Sequence, residues 1–211
     1  RRAVEEELVA AEGDLVIIVS DTHQVVNEAL GSLRGEIGKK LHLVKPGTYS
    51  FVWITQFPLL EYSSDEERFV AVHHPFTAPL DEDVAFLAEE PQKVRARSYD
   101  VVLNGQEIGG GSVRIHTRDL QNRVFRALGL GEQEVREKFG FFLNALTYGT
   151  PPHAGIALGF DRLVAIMVGA ESLRDVIAFP KTQRATCAVT DAPSEVAKNQ
   201  LEELGLRLKD S

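Results

Sequence analysis

The stretch that most constrains this chain is Tyr99 to His116, YDVVLNGQEIGGGSVRIH. Two β-rich runs flank Asn104-Gly105, the strongest short signal for a two-residue hairpin turn. With that turn, Leu103 pairs with Gln106, Val102 with Glu107 and Val101 with Ile108. Paired residues, and residues two apart on one strand, point to the same face. Asp100 and Glu107 then share a face as diagonal neighbours, about 7–8 Å apart. Two such carboxylates repel unless a cation or a shared proton lies between them. A hard, oxygen-ligated ion such as Mg²⁺, held by one or two carboxylates plus substrate phosphates, suits them. Gly109, Gly110 and Gly111 follow, where a strand is predicted. Glycine there marks a bulge or a close approach by a ligand. Arg114 stands seven residues from Glu107, an odd step that puts it on the opposite face of a regular strand. A bulge in the glycines returns it to the same side. The competing reading of this stretch alone is a solvated hairpin with an acidic edge.

The 211 residues suffice for one sizeable domain with a small companion. A net charge of −8 argues against non-specific nucleic-acid or membrane binding, though not against a local basic patch. With a single cysteine, Cys187, no intrachain disulfide can form, and a reducing cytoplasm is the expected setting. No apolar run is long enough to span a bilayer. The opening Arg1-Arg2-Ala3, without Met and inside a charged helical run, reads as a piece of a longer polypeptide.

Residues 1–12 are predicted as a helix end and residues 14–20 as a buried strand. A helix follows, with Asp21 as its cap, Gln24 as capping-box partner and a stripe of Val26, Ala29 or Leu30, Leu33, Ile37 and Leu41. Lys45 to Thr48 breaks the pattern and marks a boundary. Strands are predicted over 51–57 and 69–72, a short helix over 81–89 and the hairpin over 97–116. Helices over 119–128 and 132–148 come next, the second striped by Val135, Phe139, Leu143 and Leu146. A small-residue strand over 155–158 leads to Gly159-Phe160-Asp161-Arg162 and an apolar helix. Residues 176–179 read as a last core segment, and 193–204 as an amphipathic helix. This order implies an α+β fold with a mostly antiparallel sheet flanked by helices, preceded by a small α/β piece.

His73 and His74 adjoin at a strand end. They point to opposite faces, so one faces the cleft and the other packs or hydrogen-bonds; structural histidines are the competing reading. Arg162 at a helix start, with free N–H groups and the positive dipole end, can hold an anion, or can be a surface charge beside a capping Asp161. Arg174 and Asp175 read as a structural ion pair, and Cys187 as buried rather than reactive. Together the acids, the Gly-rich strand and the two arginines suit a nucleoside triphosphate with Mg²⁺ and a small anionic substrate. No P-loop or Rossmann glycine pattern is present.

Several long motifs carry a resemblance: HHPFT from His73, the hairpin itself, Glu137 to Phe141, Tyr148 to Gly155, Gly159 to Arg162 and Arg174 to Thr182. They resemble bacterial-type aspartyl-tRNA synthetase over residues 14–205. The resemblance implies that residues 1–46 are the C-terminal part of a domain inserted into the catalytic core. It implies that 47–211 are the C-terminal half of a class II core, including motif 3. Arg162 would contact the ATP γ-phosphate, and Glu107 and Asp100 would hold ATP-bound Mg²⁺. Arg114 would pair with the substrate aspartate side chain. His73, His74 and Ser112 would line the amino-acid pocket, and Gly109 to Gly111 would shape its floor. The implied reaction is formation of aspartyl-adenylate from L-aspartate and ATP, then transfer to tRNA-Asp, or also tRNA-Asn, by a homodimer. Arg114 favours aspartate over lysine or asparagine, because an anionic side chain wants a cation. Motifs 1 and 2 and the anticodon-binding domain find no match, so the chain alone is expected to be inactive. The alternative is a non-catalytic, synthetase-like module that binds nucleotide or a protein partner.

Overall fold

The computed structural model describes residues 7–45 and 47–208. Its backbone forms two compact units, 1–49 and 50–211. In the first, helix α1 spans His23–Lys40. The expected strand over 14–20 is not formed: those residues are irregular and mostly exposed, and no partner strand among the described residues offers a ladder. The expected Asp21 capping box is not made either. The N-cap is Thr22, Asp21 accepts from the Thr22 N–H, and Gln24 donates to Glu28. Half of the expected helix end over 1–12 lies outside the described residues; of residues 7–12, only Glu7 is helical.

The second unit is built on a four-stranded antiparallel sheet, ordered β1-β4-β5-β6. Its strands are β1 (Phe51–Thr55), β4 (Ser98–Leu103), β5 (Gln106–Val113) and β6 (Ala154–Leu158). A separate ribbon pairs β2 (Leu60–Ser63) with β3 (Arg68–Ala71). Asn104 and Gly105 both take positive φ, 49° and 81°, as a tight hairpin turn with right-handed strand twist requires. Helices α2 (Arg118–Ala127) and α3 (Glu132–Leu146) pack as a pair. Val135, Leu143 and Leu146 are buried and Phe139 partly so, as the predicted stripe requires. Phe76 links this pair to the loop after β3: its ring lies 4.8 Å from Phe142, 5.7 Å from Phe139 and 6.4 Å from Phe125. A second cluster packs Val101, Leu103 and Ile108 against Leu163 and Ile166 of helix α4 (Phe160–Val168).

Later segments depart from expectation. Ile177 and Phe179 are exposed, so residues 176–179 are not core in this chain. Asp175 accepts from the Ser172 N–H, in a capping box with the Ser172 side chain, rather than pairing with Arg174. Cys187 is only partly buried, and hydrogen bonding with Thr190 is the main influence holding its thiol below its ordinary pKa. The C-terminal helix α5 is short, Lys198–Glu203.

Residues 77–80 are held between Ala96 and Arg114 by isolated bridges, Pro79 to Ala96 and Thr77 to Arg114. This strap is latched by Asp83, which accepts from Arg95 Nε at 2.7 Å, from Arg95 Nη2 and from the Arg95 backbone N–H. The hydrogen bonds from Arg95 hold the Asp83 carboxyl below the usual range. A depressed folded pKa gives stability that is present above the unfolded pKa and is lost as pH falls through the folded one. Asp83→Asn is therefore expected to lower stability at neutral pH and to flatten its decline in acid. Urea unfolding from pH 3 to 7 checks both.

Candidate active site

The centre of the site is a bulge. β4 and β5 pair Val102 with Glu107 but Val101 with Gly109, so Ile108 is an extra residue on β5. The expected Val101–Ile108 pair is not made, and the bulge lies just before the glycine run rather than inside it. Two of its carbonyls are taken by the start of α4. The Gly159 N–H donates to the Ile108 carbonyl at 2.8 Å, and the Arg162 guanidinium donates to the Glu107 carbonyl. The bulge thus also seats the helix that carries Arg162.

The extra residue decides which side chains share a face. Glu107 stands opposite Val102, Gly110 opposite Asp100 and Ser112 opposite Ser98. Residues 98, 100 and 102 alternate to one side, so Glu107, Gly110 and Ser112 join Asp100 there. Arg114, two residues past Ser112, follows. The seven-residue step no longer separates Glu107 from Arg114, because one residue of it is consumed by the bulge. Neither Asp100 nor Glu107 has a side-chain hydrogen bond or ion pair among the described residues.

Each of these glycines stands where the protein's own atoms come close. A Cβ on Gly109 would lie 2.6 Å from the Ala157 carbonyl oxygen, and one on Gly111 1.9 Å from that of Gly155. A Cβ on Gly110 would meet Asp100 Oδ1 at 2.3 Å. Gly109 and Gly111 let β6 close onto β5, while Gly110 makes room for the Asp100 carboxylate.

Arg114 is fixed along its backbone by the bridge to Thr77 and by its N–H donating to the His153 carbonyl at 2.9 Å. Its guanidinium lies on the His74 ring, 3.1 Å from Nδ1 and in contact with Nε2. Nδ1 also accepts from the Phe76 N–H at 3.2 Å. An imidazole so placed accepts at Nδ1, and protonating it would set a cation against Arg114. Burial, then Arg114, then His73 hold its pKa below the ordinary value. His73 is exposed and packs edge-on against Phe57, with centroids 5.0 Å apart. So of the two histidines, His74 touches Arg114 and His73 packs. The stability linked to neutral His74 is complete above the ordinary imidazole pKa and declines as pH falls through the folded one. His74→Gln should remove that part of the acid-side decline, as measured by unfolding free energy against pH.

Ser112 is buried, 2% exposed, and its hydroxyl accepts from Thr77 Oγ1 at 3.4 Å, so it supports the floor beneath Arg114. Thr77, which sequence reasoning did not single out, is 1% exposed and also bridges to Arg114. Its place at the end of HHPFT was the available signal. Tyr99 was also missed: its hydroxyl donates to the Gly155 carbonyl at 3.0 Å, tying β4 across β5 to β6.

Residues 12–183 match the model of the family described as tRNA synthetases class II (D, K and N). The chain belongs to this class II synthetase family. An aspartate–tRNA(Asp/Asn) ligase of Desulfatibacillum aliphaticivorans is 54% identical over 209 residues, covering 99% of this chain and 35% of that protein. One of Caldanaerobacter subterraneus subsp. tengcongensis is 56% identical over 203 residues, covering 96% and 34%. The chain thus spans about a third of the length of these class II relatives. Among solved structures, the aspartyl tRNA synthetase of Entamoeba histolytica matches 86% of this chain and 31% of its own, at 23% identity and a TM-score of 0.49. Among the described residues, no helix is long and apolar enough to cross a membrane.

Proposed function

We propose that this chain is the carboxy-terminal part of an aspartate–tRNA ligase. In this reading the full-length enzyme activates L-aspartate with ATP and transfers it to tRNA-Asp, or also to tRNA-Asn, as a cytoplasmic homodimer. Residues 1–46 would close an inserted domain, and 47–211 would form the second half of the catalytic core. The observation that carries the reading is the bulge at Ile108, which puts two carboxylates and Arg114 on one face and seats Arg162 beside Glu107.

Arg114 supplies the cation for the aspartate side chain. A guanidinium accommodates a carboxylate through two parallel N–H donors. Neutral His74 holds that guanidinium without competing for the anion. Arg162 sits in the first turn of α4, where the guanidinium and the positive end of the helix favour a phosphate chain. On substrate binding its contact with the Glu107 carbonyl would give way to phosphate oxygens.

Asp100 and Glu107 fit Mg²⁺ as a donor set: hard oxygens on one face, unpartnered among the described residues, with Gly110 leaving space beside Asp100. Two carboxylates suffice where substrate phosphates and water complete the octahedron. Bound there, the ion would neutralise charge on the triphosphate. The protein's share is positioning: it aligns the aspartate α-carboxylate with the α-phosphate and screens the developing charge. The adenylate forms first as pyrophosphate leaves, and a terminal ribose hydroxyl of the tRNA then takes the aspartyl group, releasing AMP.

The test is aspartate-dependent ATP–pyrophosphate exchange. The full-length protein should exchange with aspartate and not with asparagine or lysine. The 211-residue chain should not exchange at all. No exchange by the full-length protein with aspartate would refute the proposal and favour a non-catalytic, synthetase-like binding module.

A further inference from the structure

Gln121 is fully buried in the first turn of α2, a helix whose other buried residues are Val124 and Phe125, so an apolar residue there would carry no polar cost. Its Nε2 donates to the Pro75 carbonyl at 2.8 Å, while its Oε1 is buried without a partner among the described residues. A half-satisfied buried amide is unfavourable, so the bond that it does make calls for a reason.

The loop from 72 to 77 supplies one. The Val72 N–H donates to the Leu59 carbonyl, the Ile115 N–H to that of Phe76, and the Thr77 N–H to that of His74. Proline has no N–H, so the carbonyl is the only backbone polar group by which Pro75 can be held. The next residue, Phe76, anchors its ring among Phe125, Phe139 and Phe142 and gives its N–H to His74 Nδ1. The same Nδ1 lies 3.1 Å from Arg114 Nη1. A continuous set of contacts therefore runs from Gln121 through Pro75 and Phe76 to His74, and so to the guanidinium.

We infer that Gln121 is a positioning residue for amino-acid recognition: by holding the Pro75 carbonyl it sets the His74 ring, which in turn orients Arg114. The inference rests on the aspartate-activation reading above and deepens it. Gln121 touches no reacting atom, so its removal should weaken aspartate binding and spare ATP.

The test uses the full-length protein with Gln121→Met, which keeps the volume and removes the donor, and Gln121→Asn, which stays polar but is one methylene shorter. Both should raise the KM for aspartate about tenfold, with the KM for ATP changed less than twofold and the thermal midpoint of Gln121→Met unchanged or raised. The imidazole ¹⁵N resonances of His74 should shift in both variants, and those of His153 should not. An unchanged aspartate KM would overturn the inference. So would equal rises in both KM values, unchanged His74 resonances, or failure of both variants to fold, since any of these makes Gln121 only a core residue. The ¹⁵N readout does not depend on turnover: a protein that activates no aspartate while its His74 still responds to Gln121 refutes the functional reading and keeps the contact.

Discussion

Arg114→Leu in the full-length protein should reduce kcat/KM for aspartate by at least about 100-fold while changing ATP affinity by less than about threefold. Truncating one partner of a buried charged pair costs about 2–5 kcal/mol, and each 1.36 kcal/mol is a factor of ten. The site makes that cost specific. The guanidinium is tied by its backbone to Thr77 and His153 and by its side chain to His74, so it arrives oriented. Without it, a substrate carboxylate would enter a partly buried face with a neutral imidazole and no cation. Arg162, on the far side of the bulge, would still serve the triphosphate. Aspartate-dependent exchange and equilibrium ATP binding, measured on one preparation, separate the two. Parallel losses would show that Arg114 supports the fold or the nucleotide rather than the amino acid.

The largest stability effect should come from Gly111→Ala. Its new Cβ would lie 1.9 Å from the Gly155 carbonyl and 2.9 Å from the Ile156 Cα, both backbone atoms that move only if β6 moves. Overpacking of this kind costs about 3 kcal/mol. As β6 feeds directly into α4, the displacement should also loosen Arg162 and its contact with the bulge. Gly110→Ala makes the control. Its Cβ meets the end of the Asp100 side chain, which can rotate away, so its stability cost should be about 1 kcal/mol or less. The loss should fall instead on the metal dependence of activity. Denaturant unfolding of both variants, with Mg²⁺ titration of exchange, distinguishes them. Equal destabilisation by the two would mean that the Asp100 side chain is fixed more firmly than its unpaired state implies.

The hairpin was legible because its determinants are local. Asn104-Gly105 takes the two positive φ values that few other dipeptides accept, and the neighbouring pairs follow from it. The need for a bulge was legible too, as a parity condition on Glu107 and Arg114. Its position was not. Ile108 bulges where the start of α4 takes the carbonyls of residues 107 and 108, a contact made by chain more than 50 residues away. The glycine run was legible as a bulge or a close approach, but a strand sequence does not say which neighbour comes close. Residues 14–20 failed as a strand for a related reason: β propensity needs a partner. The Ile177–Phe179 run is apolar without being buried, and hydrophobicity alone cannot distinguish the two. The histidine pair was read by alternation, which separated their faces but could not say that His74 would be the one on Arg114. Gln121 left no trace, since a buried amide in an amphipathic helix differs from an exposed one only through what surrounds it.

One face of the bulged hairpin should divide the substrate, with Arg114 at the amino acid and Asp100 with Glu107 toward the phosphates. A crystal structure of the full-length protein with a non-hydrolysable aspartyl-adenylate analogue tests it most directly. The Arg114 guanidinium should be forked on the aspartyl side-chain carboxylate, beside His74, with the adenylate phosphate lying on the acidic side of the bulge. An analogue bound with Arg114 turned away from its carboxylate, or with a regular β4–β5 ladder through Ile108, would contradict it.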